Sequence, residues 1–184
     1  MHRFGPIPDS LKSSETDEHF TNCYDCKNPL QDNEEGFVLQ KVYSKGEVIM
    51  EIAVCEACHK KLHEEYSDET KERIWNFYLD HGDLPGRLEK FRGVPIGSID
   101  PWINHCLTCH GTLDTAEEYA VAVHCIEDQL IYGESPFMIC MSCMDRITEM
   151  LSEKSLGTYD RWLEHCLPMA PAQPDDSPKK RVLI

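Results

Sequence analysis

Four Cys-x-x-Cys pairs, arranged as two matched couples, constrain this chain more than any other feature. Cys23-Tyr24-Asp25-Cys26 is followed after 28 residues by Cys55-Glu56-Ala57-Cys58, and Cys106-Leu107-Thr108-Cys109 after 30 by Cys140-Met141-Ser142-Cys143. Each pair sets two sulfurs on one tight turn, where they can take adjacent corners of a tetrahedron about 2.3 Å from a Zn2+ ion. Two pairs complete a four-cysteine set with no open position for water or substrate, so the expected role is structural. The expectation is two zinc sites: Cys23, Cys26, Cys55 and Cys58 in one, Cys106, Cys109, Cys140 and Cys143 in the other. No catalytic residue and no other cofactor is expected. The rival readings, a disulfide framework or thioredoxin-like redox pairs, fit four pairs in two matched copies poorly.

The repeat extends beyond the cysteines. Leu30 answers Leu113, Glu35 and Phe37 answer Glu117 and Tyr119, and Tyr78-Leu79-Asp80-His81 answers Trp162-Leu163-Glu164-His165. The chain divides into a disordered arm over 1–19, module 1 over 20–81, a connector over 82–101, module 2 over 102–167 and a disordered tail over 168–184. Leu84, Leu88, Phe91, Val94 and Ile96 give the connector the means to pack onto a neighbour. Inside module 1, the runs 37–43 and 48–54 flank Ser44-Lys45-Gly46 as a β-hairpin. A helix carrying Leu62 and Tyr66 follows Cys58, and Ser67-Asp68-Glu69 starts another through Ile74, Phe77 and Tyr78 to Gly82. Module 2 repeats this with a hairpin from 119–125 and 130–139, a helix marked by Ile147, Met150 and Leu151, and a last helix through Trp162. The fold class is α+β. A unit of about 60 residues is near the lower limit for a self-sufficient core, and a bound metal supplies folding free energy where burial is marginal.

The order knuckle, hairpin, then Cys-x-x-Cys at a helix start resembles the treble-clef zinc finger. Phe137-Met138-Ile139-Cys140-Met141-Ser142-Cys143 is similar to the second half of the ClpX zinc-binding domain, and Val54-Cys55-Glu56-Ala57-Cys58 after a hairpin is similar to the paired zinc modules of McsA proteins. The resemblance covers 20–66 and 102–151 and implies two tandem treble-clef-like modules.

Charge and composition narrow the function. The 184 residues carry 18 basic against 33 acidic side chains, a net charge of −15, and both modules are acidic. A phosphate-backbone binder needs a basic face, so nucleic acid is not an expected partner. No run approaches the roughly 20 apolar residues of a membrane helix, and the first residues lack a signal peptide's apolar core; a cytoplasmic location without membrane contact is expected. Among ten cysteines, Cys125 and Cys166 stand outside the pairs. Cys125 reads as a small core residue, and the functional reading of either is a redox-sensitive thiol. His59, His105 and His110 neighbour the cysteine pairs and read as surface or supporting groups. His124 stands where HNH nucleases, which Cys55-Glu56-Ala57-Cys58-His59 resembles at their zinc-binding end, carry a catalytic histidine. Trp75, Phe77, Tyr78 and Trp162 read as core, and Pro178-Lys179-Lys180-Arg181-Val182 as part of a soluble tail. The leading expectation is a non-catalytic protein-interaction or adaptor module with a protein partner. The alternatives are a thiol-based redox sensor that releases zinc and a nucleic-acid-binding or HNH-like nuclease protein.

Overall fold

A computed structural model describes residues 2–82, 86, 87, 89 and 91–167; the tail over 168–184 lies outside the described residues, as do Leu84 and Leu88. In chain order the elements are β1 (Arg3–Pro6), β2 (Phe37–Ser44), β3 (Glu47–Cys55), α1 (Glu56–Glu65), α2 (Asp68–His81), α3 (Asp100–Ile103), β4 (Glu118–Ile126), β5 (Gln129–Tyr132), β6 (Phe137–Cys140), α4 (Met141–Glu149) and α5 (Glu153–Cys166). The fold is α+β, and all strand pairings are antiparallel.

The first hairpin forms where alternation and turn chemistry place it. Lys45 and Gly46 both take positive φ, 51° and 83°, the two-residue geometry whose twist matches the flanking strands. The second hairpin departs from a plain ladder. β4 pairs β5 through Cys125 with Leu130, then β6 through Ala122 with Phe137. An unbroken register would bring Ala122 opposite Gly133, so the chain takes a four-residue excursion over 133–136. Ser135 fills the break, its hydroxyl accepting from the His124 N–H at 3.0 Å and donating to the Ile131 carbonyl at 3.1 Å.

The two hairpins are joined edge to edge. β2 pairs β4 along eight residues, from Phe37 with Cys125 to Ser44 with Glu118, giving one six-stranded sheet in the order β1-β5-β4-β2-β3 with β6 also on β4. Phe37 corresponds in the repeat to Tyr119, and at the same offset Gln40 corresponds to Ala122, the residue it faces. Val38 faces His124, two residues beyond, as a two-fold axis through Gln40 and Ala122 requires. The helical layer obeys the same axis. Ser67 and Ser152 cap α2 and α5, accepting from the Thr70 and Ser155 N–H groups, and their hydroxyls meet at 2.9 Å. Each cap residue's N–H crosses the axis, Ser67 to the Ser155 hydroxyl and Ser152 to that of Thr70, both at 2.9 Å. Each helix thus starts on its sequence-distant twin, which satisfies amides that a helix N-terminus otherwise leaves open.

From that meeting point α2 and α5 run across to the opposite half. Phe77 is buried under the Arg146 guanidinium of α4, 5.1 Å from its ring centroid. At the end of α5, His165 Nε2 lies 3.2 Å from the Asp25 carbonyl in the first knuckle. The core reading of the four aromatics is corrected at one position: Phe77 is packed, Tyr78 and Trp162 lie against the core, but Trp75 is 63% exposed. It shares an exposed face of α2 with Leu79, one turn on.

The arm expected to be disordered over 1–19 is structured across residues 2–19. β1 pairs β5, with Phe4 opposite Ile131, and Leu11 is buried. The signal was too short to carry periodicity, because four residues suffice to extend an existing edge. Arg3 binds the connector through the Phe91 and Val94 carbonyls at 3.0 and 2.6 Å, and Phe91 stacks on Trp102 at 4.3 Å. Val94 packs against the core, whereas Ile96 stays 43% exposed.

Candidate metal centres

The sequence builds the two knuckles by the same backbone device. The residue after the second cysteine, Lys27 or His110, takes a left-handed conformation with φ of 65° or 59°. Its N–H returns to the first cysteine's carbonyl, Lys27 to Cys23 at 2.9 Å and His110 to Cys106 at 3.1 Å. The first cysteine's own N–H donates to Asn28 at 2.9 Å in one knuckle and Gly111 at 2.8 Å in the other. The turn leaves both sulfurs on one side.

The partner pair sits where a strand becomes a helix. Cys55 is the N-cap of α1 and Cys140 of α4, so Cys58 and Cys143 fall on the first helical turn beside them. Matched bonds lock pair to knuckle: the Cys55 N–H donates to Cys23 Sγ at 3.3 Å and the Cys140 N–H to Cys106 Sγ at 3.5 Å. In each quartet the four sulfurs lie within 4.8 Å of one another. Cys26 and Cys55 Sγ are 3.8 Å apart, and Cys109 and Cys140 Sγ 3.6 Å. A tetrahedron of sulfurs at the zinc radius has edges of about 3.8 Å, while a disulfide needs about 2.05 Å. Both quartets could therefore hold a metal ion.

Electrostatics supports the same donor chemistry. Burial is the largest influence on these thiols and raises Cys55 and Cys58 in the first quartet and Cys109 and Cys143 in the second. At Cys26 and Cys106 burial is outweighed by hydrogen-bond donors, chiefly the Asn28 N–H for the first and the Cys109 and Cys140 N–H groups for the second, which bring Cys106 to about 6. Four sulfurs this close resist ionising together, and a divalent cation among them reverses that balance.

The remaining candidates separate cleanly. Burial pushes the Cys125 thiol up to about 12, and burial with the nearby Asp25 carboxylate does the same for Cys166; neither has the low pKa of a reactive cysteine. His105 Nδ1 pairs with Asn104 Oδ1 at 2.8 Å, and His110 serves the knuckle through its backbone. His59 Nδ1 lies 3.5 Å from Glu56 Oε2. His124 faces a concave space between the halves, where burial lowers its pKa against the opposing charge of Glu56. His59 and His124 are near enough to act on one another, yet they join no group of three ligand atoms within 4.8 Å among the described residues.

Sequence reasoning missed that concave space and the crossed helix caps. Ser67 was legible as a cap, but nothing local announces that Ser152 would sit on it. Among the described residues no helix is long and apolar enough to cross a membrane. No family model, curated protein or solved structure matches the chain.

Proposed function

We propose that this chain is a non-catalytic protein-interaction adaptor whose two quartets each hold Zn2+ as a structural ion. Closed tetrathiolate sites suit zinc and leave no coordination position for chemistry. They stiffen a two-fold platform, and the partner meets the platform on α2. The observation that carries this reading is the pair Trp75 and Leu79, 63% and 57% exposed and one helical turn apart. A large aromatic with an apolar neighbour on an open helix face is the composition of an interface hot spot. The chain as a whole carries a net charge of −15, so the fitting partner is a protein with an apolar pocket rimmed by lysine and arginine, steered by that charge.

The test compares captured proteins for the wild type and a Trp75→Ser/Leu79→Ser variant at equal zinc content. Loss of a specific, saturable partner in the variant, with unchanged metal and thermal stability, is expected. Equal capture by both would refute the assignment to α2. Metal analysis should return two zinc per chain, and X-ray absorption four sulfurs at about 2.3 Å.

A second reading draws on exposure. Cys26 and Cys109 are the accessible members of their quartets, each within 3.8 Å of a helix-start cysteine. Peroxide, reduced to water, would take two electrons from Cys26 and Cys55 to form a disulfide and free the ion. Stoichiometric zinc release at low peroxide, reversed by thiol and zinc, would favour this sensor over a passive scaffold.

A further inference from the structure

Between the helices of the two halves and the middle of the sheet lies a cavity of about 250 Å3. Its lining is overwhelmingly apolar, with Val38 and Ala122 on the floor and Phe137 and Ile147 in the walls. It spans both copies of the repeat, so it exists only because β2 pairs β4.

Two observations distinguish it from a packing defect. The Tyr78 hydroxyl, on a side chain that lines the cavity, is buried without a hydrogen-bond partner, as is Nε2 of His59, whose Nδ1 faces Glu56. Buried polar groups are nearly always paired, and an orphan in a cavity wall asks for a ligand atom or water. The polar side sets one carboxylate among the imidazoles of His59, His63 and His124. Glu134 lines the cavity beside His124, Glu56 is close enough to act on the same imidazole, and among the described residues no lysine or arginine lines the space.

We propose that this cavity binds a small aromatic amine, its ring among the apolar walls and its ammonium against Glu134 and His124. Size, shape and charge each select this class. A 150 Å3 apolar cavity takes benzene, so 250 Å3 takes about ten non-hydrogen atoms. Tyr66, Tyr78, Phe137 and Tyr159 give the walls ring faces and edges, which favour an aromatic body over a chain. Glu134, with no lysine or arginine lining the space among the described residues, attracts a cation and repels a carboxylate ligand. The orphan hydroxyl of Tyr78 adds a preference for one further polar atom on the ring. This site is separate from Trp75 and Leu79, which lie on the outer side of α2.

Zinc-loaded full-length protein titrated by NMR and calorimetry with tyramine, phenethylamine, 2-phenylethanol and 3-(4-hydroxyphenyl)propionate tests the proposal. Tyramine should bind at one site, phenethylamine about fivefold more weakly, 2-phenylethanol weaker again, and the propionate not at all. Tyr78→Phe should erase the advantage of tyramine over phenethylamine. Glu134→Gln should weaken both amines about fivefold while sparing 2-phenylethanol. Thr148→Trp, which fills the cavity from its rim, should abolish binding; Ala122→Leu serves the same end if that variant fails to load zinc. Binding of the propionate as tightly as the amine, or amine affinity unchanged in a folded cavity-filling variant, would overturn the proposal.

Discussion

The two halves share a knuckle, a helix-start pair and a capped trailing helix, yet their trailing helices present different outer faces. Both α2 and α5 are 14 residues long and are capped by Ser67 and Ser152. In that alignment Trp75 and Leu79 correspond to Asp160 and Glu164, so an apolar pair in one half is an acidic pair in the other. The sequence repeat, matched on Tyr78-Leu79-Asp80-His81 with Trp162-Leu163-Glu164-His165, is one residue out of step with the caps. What the halves keep in common is what folding needs: the sulfurs, the knuckle turn and the crossed serines. What they do not keep is the face that packing leaves free, which is where a partner-binding function can be selected.

If the shared parts act as one unit, breaking either half should break both. Replacing Cys55 and Cys58 by serine removes one quartet, and replacing Cys140 and Cys143 removes the other. Structural zinc contributes about 10–16 kcal/mol of apparent binding energy that is also folding energy, more than a domain's usual net stability. β2 is hydrogen-bonded to β3 and β4 alike, and α2 and α5 start on one another, so little remains to hold the intact half alone. Either double variant is expected to lose near-UV circular dichroism throughout and bind well under one zinc. One retained equivalent with a protected half in hydrogen exchange would show that the modules fold independently.

The joint between the halves offers a finer cut. Gly36 has φ of 86°, and a Cβ there would lie 2.2 Å from the Cys125 carbonyl oxygen on β4; Gly46 has φ of 83° with nothing within 4 Å. Gly46→Ala should cost about 1 kcal/mol, the left-handed penalty alone. Gly36→Ala adds a backbone collision across the two halves and should cost roughly 4 kcal/mol. Denaturant midpoints of zinc-loaded protein separate the cases, and equal losses would mean that the joint yields freely.

Such a joint was not legible in the sequence. The Cys-x-x-Cys spacing announces the quartets because ligand geometry is local to a turn and a helix start, and the first hairpin reads from alternation around Lys45 and Gly46. The break at 133–136 did not read, since the register of a strand on its neighbour is set by contacts that its own pattern does not name. Trp75 read as core because α2 has apolar residues on more than one face, and periodicity alone does not say which face finds a partner. The pairing of β2 with β4 is a contact between distant segments, and a strand's pattern shows which face is buried without naming its neighbour.

The smallest contrast lies in charge. Lys41 is almost fully buried in β2, with Glu51 Oε2 at 3.4 Å, and Glu51 also accepts from the Ser13 hydroxyl at 2.7 Å and the Ser14 N–H at 3.0 Å. The corresponding position to Lys41 in β4 is Val123, so only the first half carries this pair. Burial pushes the Glu51 carboxyl up, but the Ser13 and Ser14 donors and the Lys41 ammonium outweigh it and hold the pKa below the ordinary 4.5. A carboxyl depressed on folding contributes stability above its unfolded pKa and loses it as pH falls through the folded one. Glu51→Gln should therefore cost about 2 kcal/mol near neutrality, since the amide keeps an acceptor but leaves Lys41 without its counter-charge. The gap between wild type and variant should close as pH falls below about 4.5. Matched urea titrations between pH 6 and pH 3.5 measure it. A gap that stays constant with pH would assign the loss to packing rather than to charge.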